Sequence, residues 1–386
     1  MRATDRFRQE VERTILPLRR SAAYFCSMTT TTMNYQLLGR SGLRVSDLCL
    51  GAMTFGEDWG WGTAKDEARK IYDTYREAGG NFIDTANIYT NGSSEKLVGE
   101  FIAGHREEVV LATKYTNAVI GFSGQPGTDA NAGGNQRKNM VQAVEASLKR
   151  LGTDYIDLYW LHIWDQITPV EEVMRAFDDL VRAGKVLYVG ISDAPAWVVA
   201  KSNTLAELRG WTRYVALQIE YSLLERTVER ELLPMAKDQQ MTVLAWSPLR
   251  NGTLTGKYLP ENVKQSEAEG ARMHTEMMKA FGEVDASIHA TVREIVAVGQ
   301  ELGVSPAQVA LAWLRYRSVP VIPIIGARRL AQLEDNIRSL DLTLSPAQLE
   351  RLDTATAVPL GFPHDLMKLD PIRAIVFGGL RDRIKA

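Results

Sequence analysis

NFIDTANIYT, residues 81–90, opens as an apolar strand run, closes that run on Asp84, and carries a phenol, Tyr89, five residues further on. Two later runs end in the same manner: VVLATKY at 109–115 reaches Lys114, and IDLYWLHIWD at 156–165 reaches His162. Strand interiors disfavour Asp and Lys. At the ends of consecutive strands, however, such groups can share one space, where they are either paired or used. An acid, a phenol, an ammonium and an imidazole together make the parts of a proton-delivery device.

The same kind of run recurs along the chain. Short apolar segments fall near 48–54, 81–85, 108–114, 155–161, 186–191, 214–219, 241–246 and 321–325. Their residues are apolar on both faces, as in a sheet covered on both sides. Helical patterns separate most of them. Thr63 to Ala78 carries an apolar face and stops at Gly79. Met140, Val141, Val144, Leu148 and Leu151 make a stripe before Gly152. In 168–184, Thr168 is the expected cap, Pro169 the first helical residue, and Gly184 the stop. SPAQ occurs at 305–308 and 345–348, and each copy reads as a capping box. Eight strands alternating with helices predict a closed (β/α)8 TIM barrel, with a hairpin before it and extra helices after it. An open doubly wound sheet is disfavoured, because no GxGxxG follows the first strand.

Composition narrows the function classes. The chain has 386 residues, 45 basic and 47 acidic, for a net charge of −2. That balance provides no field for gripping nucleic acid or an acidic membrane, and no apolar run is long enough for a bilayer span. Two cysteines, Cys26 and Cys49, exclude a disulfide framework and a cysteine-rich metal site. They suit a reducing, cytoplasmic setting. The barrel is expected over 33–358 and a tail over 359–386. The Arg-rich stretch 1–32 contains Asp5, Glu10 and Glu12, which argue against a targeting peptide. It is expected to be an extension ahead of a true start at Met28 or Met33, with a mobile amphipathic helix as the second reading.

All four opening residues lie at or just after strand C-termini, the face on which such barrels act. Tyr89 is the expected acid, with its pKa lowered by Lys114. Asp84 keeps Lys114 charged, and His162 donates to a substrate oxygen. The Gly- and Asn-rich segment 117–137 and the polar segment 250–283 read as loops on that face.

These residues sit within motifs that resemble the aldo-keto reductase superfamily, from about Tyr35 to Ala357. The motifs are GAMTFG at 51–56, DTANIYTNGSSEKLVGE at 84–100, TKY at 113–115, DLYWLHIWD from 157, GISDAP from 190, QIEYS from 218, LAWSPLRNGTLTGKY from 244 and IPIIGARRLAQLEDN from 322. Within the superfamily the chain looks like the bacterial branch, which also resembles β subunits of voltage-gated potassium channels. The resemblance implies NADP(H) extended across the barrel mouth and reversible reduction of aldehydes and ketones, with no metal. A redox-sensing regulatory subunit that holds NADPH is the alternative. The resemblance assigns Ser192, Asp193 and Gln218 to the carboxamide, and Trp246 to stacking on the nicotinamide. Met53 and Asp84 are further cofactor contacts. Ser247, Pro248, Leu249, Gly252 and Lys257 are assigned to the pyrophosphate. Gly326, Arg328, Gln332, Asp335 and Asn336 are assigned to the adenosine ribose, with Arg272 and Arg328 on a 2′-phosphate. Trp59, Trp61 and Trp164 are expected to line the substrate mouth beside Tyr89 and His162, which suits an aromatic or otherwise hydrophobic carbonyl compound.

Overall fold

A computed structural model of the chain describes residues 31–118, 129–264 and 288–384. Two short strands, β1 (Tyr35–Leu37) and β2 (Arg44–Ser46), pair as an antiparallel hairpin. Eight strands follow: β3 (Cys49–Gly51), β4 (Phe82–Asp84), β5 (Val110–Tyr115), β6 (Ile156–Leu161), β7 (Val186–Ser192), β8 (Tyr214–Glu220), β9 (Thr242–Trp246) and β10 (Val321–Ile325). Each pairs in parallel with its neighbour, and β10 returns to β3, so the sheet closes. All eight expected strands are present within a few residues of their expected positions.

The helices are α1 (Lys65–Glu77), α2 (Ser93–Ile102), α3 (Arg137–Leu151), α4 (Val170–Arg182), α5 (Ala196–Arg209) and α6 (Leu232–Asp238), then α7 (His289–Leu302), α8 (Pro306–Leu314), α9 (Leu330–Arg338) and α10 (Pro346–Ala355). Two more, α11 (His364–Lys368) and α12 (Asp370–Phe377), follow the barrel. Among the described residues no single helix is long and apolar enough to cross a membrane.

Parity along each strand separates two cores. Inside the barrel, Cys49, Phe82, Ala112, Leu158, Trp160, Ala216, Leu244 and Ile322 pack together. Leu38 and Val45 of the hairpin belong to the same cluster, so the hairpin plugs the N-terminal end of the barrel. Gly39 makes that fit possible: it sits at φ +53, and a Cβ there would lie 2.0 Å from the Val215 carbonyl oxygen. Alternate residues such as Leu50, Ile83, Leu111, Tyr159, Val189 and Val243 face outward into a larger core shared with the helices. With the bottom plugged and the middle filled, the open space lies at the strand C-termini.

Three details differ from the expectations. Pro169 is the N-cap residue of α4 and not its first residue. Thr168 does not cap; its hydroxyl donates to Asp165 Oδ2 at 2.6 Å. Ser345 forms a full capping box with Gln348, but at Ser305 the box is half made. There the Gln308 amide N–H donates to Asp335 Oδ1 at 2.6 Å and the Ser305 hydroxyl donates to Asp335 Oδ2 at 2.7 Å, so both side chains are tied to the carboxylate of α9. Cys49 is a buried free thiol whose pKa is raised, first by burial and then by Asp84. Cys26 lies outside the described residues, as does most of the expected extension 1–32.

Candidate active site

Backbone strain places the phenol. After β4 the chain reaches Tyr89, then turns through Thr90 (φ 44), Asn91 (φ 54) and Gly92 (φ 90) into α2. Non-glycine residues reach the left-handed region only at a cost, and a β-branched Thr there needs holding. Thr90 is buried, its hydroxyl donates to the Phe55 carbonyl at 2.7 Å, and it accepts from the Ser94 N–H at 3.0 Å. The loop is therefore fixed against both the segment that follows β3 and α2, with Tyr89 at its start.

Lys114 is wholly buried beneath Tyr89. Its ammonium has three N–H donors, and three acceptors meet it: Asp84 Oδ2, the Thr85 carbonyl at 2.8 Å and the Tyr89 hydroxyl at 3.1 Å. The Tyr89 oxygen accepts from Lys114, so its own proton is left to donate toward the groove. Burial alone would lower the Lys114 pKa, but Asp84 and Tyr89 outweigh it and hold the group above its ordinary value. Burial pushes the Asp84 carboxyl up, against the pull of Lys114.

The Tyr89 phenol departs from expectation: its pKa is raised, not lowered. Burial is the largest influence, Lys114 opposes it, and Asp84 adds to it. One ammonium, already half-neutralised by Asp84, does not offset the desolvation of a phenolate. Burial, and next Lys114, push the His162 pKa well below its ordinary value, so the ring is neutral. It lies edge-on to Tyr89, with centroids 5.8 Å apart, and its Nδ1 is 3.1 Å from the side-chain Nδ2 of Asn117.

Above the buried Lys114, a groove of about 1140 Å³ runs across the barrel mouth. Asp84, Tyr89 and His162 line it together with Met53, Trp59, Trp61, Ser192, Asp193, Gln218 and Trp246. Beyond Trp246 the groove continues along Ser247, Pro248, Leu249, Gly252 and Lys257, then Gly326, Arg328, Gln332, Asp335 and Asn336. Trp59 and Trp61 are 5.6 Å apart, and Trp59 meets the Tyr89 ring edge-on at 6.4 Å. Residues that sequence reasoning missed also line the groove: Asn117, Glu220, Leu224 and the Arg250 that pairs with Glu220. Strand parity offered a signal for Glu220, two residues after Gln218.

One expected residue, Trp164, is not brought there. Trp164 is absent from the lining and packs edge-on against Trp197 at 5.4 Å, because its backbone N–H is held by the Asp193 carbonyl at 3.3 Å. Arg272 lies outside the described residues. Among the described residues no group of His, Cys, Asp or Glu is arranged to hold a metal ion.

Several features fit the far half of the groove to a dinucleotide. The Ser192 hydroxyl is buried without a partner and faces the groove. An orphaned buried hydroxyl is costly, and a ligand amide would satisfy it. The Trp246 indole N–H donates to Asp193 Oδ1 at 3.0 Å, which fixes the ring's plane. Burial raises the Asp193 carboxyl to about 6. Gln218 donates to Asp84 Oδ1 at 3.1 Å and so ties this half to the proton-delivering half. A Cβ on Gly326 would meet no protein atom within 4 Å, leaving open space beside the chain there. At the α9 N-terminus the Leu330 N–H is already bonded to Glu67 Oε1 at 2.8 Å.

Residues 47–357 match the profile of the aldo/keto reductase family. The chain belongs to that family. It is 41% identical to the norsolorinic acid reductase of Emericella nidulans over 328 residues, 84% of this chain and 81% of that protein. With norsolorinic acid reductase A of Aspergillus parasiticus it shares 37% over 339 residues, 86% of this chain and 84% of that protein. With the aryl-alcohol dehydrogenase [NADP(+)] of Phanerodontia chrysosporium it shares 36% over 340 residues, 85% and 87% of the two chains. These aldo/keto reductase relatives are fungal, and the narrower placement in a bacterial branch gains no support from them.

Proposed function

We propose that this aldo/keto reductase catalyses the reversible, NADPH-dependent reduction of aromatic aldehydes or ketones to alcohols. The observation that carries the reading is the Asp84–Lys114–Tyr89 stack, which points a phenolic proton into a groove whose other wall suits a dinucleotide. When bound, the cofactor supplies the hydride. Ser192 and Gln218 would hold its carboxamide, Trp246 its ring face, and Lys257 and Arg328 its anionic groups.

The substrate carbonyl sits under Tyr89 and His162, and Trp59 and Trp61 supply flat apolar walls. The names of the fungal relatives, which refer to an aryl alcohol and to norsolorinic acid, support an aromatic substrate class. As negative charge grows on the carbonyl oxygen, Tyr89 transfers its proton. Its raised pKa keeps that proton in place until then, and the charged Lys114 stabilises the phenolate that is left. Asp84 keeps Lys114 charged, and His162 aims the oxygen. In alcohol oxidation Tyr89 accepts the proton, so the same groups serve both directions.

A regulatory NADPH-binding subunit is the second reading, and the relatives, named as reductases and a dehydrogenase, do not favour it. Purified protein, NADPH and a panel of aryl and small aliphatic carbonyl compounds test the proposal. Consumption of NADPH with aryl compounds is the expected result. Tight NADPH binding without turnover on any of them would refute it.

A further inference from the structure

We infer that Asn117 is a positioning residue that fixes the tautomer of His162, so that the ring presents an Nε2–H donor to the groove. The inference rests on the proposed carbonyl reduction for its consequence, but not for its geometry. Asn117 Nδ2 lies 3.1 Å from His162 Nδ1. An amide nitrogen only donates, so Nδ1 must accept, and the single proton of the neutral ring is on Nε2. That is the form a carbonyl oxygen needs. The other tautomer would aim a lone pair at it.

The chain goes to some cost to put Asn117 there. Thr116, the residue before it, has φ +94, a strained value for a β-branched side chain. Strain of this kind persists only where surrounding contacts over-determine it. The Thr116 carbonyl accepts from the Gly134 N–H at 2.8 Å and the Asn139 amide at 3.3 Å. Its hydroxyl accepts from the Asn135 side-chain amide at 2.9 Å and from the backbone N–H of His162 at 3.3 Å. The Asn117 carbonyl takes the Asn87 amide at 3.0 Å. The end of β5 is thus bent and bonded so that one amide meets one ring nitrogen, and both side chains border the groove.

Nuclear magnetic resonance of the full chain labelled with ¹⁵N-histidine, with the His162 signals assigned through His162→Gln, reads the tautomer directly. The wild type is expected to show a protonated Nε2 and a bare Nδ1 near neutral pH. Asn117→Asp places an acceptor against Nδ1 and is expected to move the proton there. With Tyr89 intact, kcat for an aryl aldehyde is then expected to fall about 100-fold, as for loss of one oxyanion donor, while NADPH affinity is unchanged. A protonated Nδ1 in the wild type would overturn the inference, and that spectrum needs no variant to fold. An unchanged tautomer and unchanged kcat in folded Asn117→Asp would overturn it too. Absence of carbonyl reduction in a wild type with the expected tautomer would refute the proposed function and leave the tautomer assignment standing.

Discussion

Lys114→Met isolates the buried charge on which the proposed mechanism depends. The variant leaves Asp84 about as deeply buried, with Gln218 still donating to it, and removes donors from the Thr85 carbonyl and the Tyr89 hydroxyl. Breaking a buried ion pair from one side costs about 3–5 kcal/mol. The alternative open to the protein is to protonate Asp84. At about pH 7 that costs roughly 4 kcal/mol from an ordinary carboxyl pKa of about 3.9, at about 1.4 kcal/mol per unit. The two routes agree, so the expected loss is about 4 kcal/mol. For a chain of 386 residues this is about 5 °C in Tm.

The pH dependence has a definite sign. In the variant the folded-state pKa of Asp84 is raised far above the unfolded value. Its folded state therefore gains stability relative to the unfolded state as pH falls, and loses it as pH rises through the folded pKa. At about pH 5 the deficit should shrink to roughly 1.5 kcal/mol. In the wild type Lys114 opposes the rise in Asp84, so its own profile is shallower. Urea unfolding followed by tryptophan fluorescence at both pH values measures this. The double variant Asp84→Asn, Lys114→Met removes both charges and should recover most of the stability without recovering turnover. A single variant that loses under about 1 kcal/mol at pH 7, or whose deficit does not change with pH, would refute the reasoning.

Three further outcomes are expected. Asp193, raised to about 6 by burial, is neutral below that pH and charged above it. The ratio of NADP⁺ to NADPH affinity should therefore rise with pH through this window, and fluorescence titration should find it flat in Asp193→Asn. Gly39→Ala drives a Cβ into the Val215 carbonyl at a left-handed φ. A loss of about 1–3 kcal/mol is expected by urea unfolding, with turnover per folded molecule kept, since the hairpin plugs the end of the barrel away from the groove. Trp59→Ala removes the ring that meets Trp61 and Tyr89. Steady-state kinetics should show KM for aryl carbonyl compounds raised about 10-fold, with small aliphatic ones little affected.

What was legible in the sequence, and what was not, follows from how far each property is local. Asp84, Tyr89, Lys114 and His162 stand out because strand parity and position at strand ends are local patterns, and the closed barrel then brings strand ends together. The groove residues from Ser192 to Asn336 were reached through motif resemblance, and all of those described line the groove. The direction of the Tyr89 pKa was misjudged because it depends on desolvation, which no neighbour in the chain reports. Trp164 was misplaced because one bend after His162 turns it toward Trp197. Thr168 looked like a cap, but the helix starts one residue later than its pattern suggested, with Pro169 at the N-cap, and the Thr168 hydroxyl donates to Asp165. Asn117 carried no motif at all, and its contact with His162 depends on the strained φ of Thr116.

Tyr89→Phe tests the mechanism most directly, because it removes one oxygen and keeps the ring that packs against Trp59 and His162. Single-turnover reduction of an aryl aldehyde, with NADPH affinity measured in parallel, is the experiment. The expected result is a loss of about 10²–10⁴ in the rate of the chemical step with NADPH affinity within about twofold of wild type. A rate near that of the wild type would show that Tyr89 does not supply the proton.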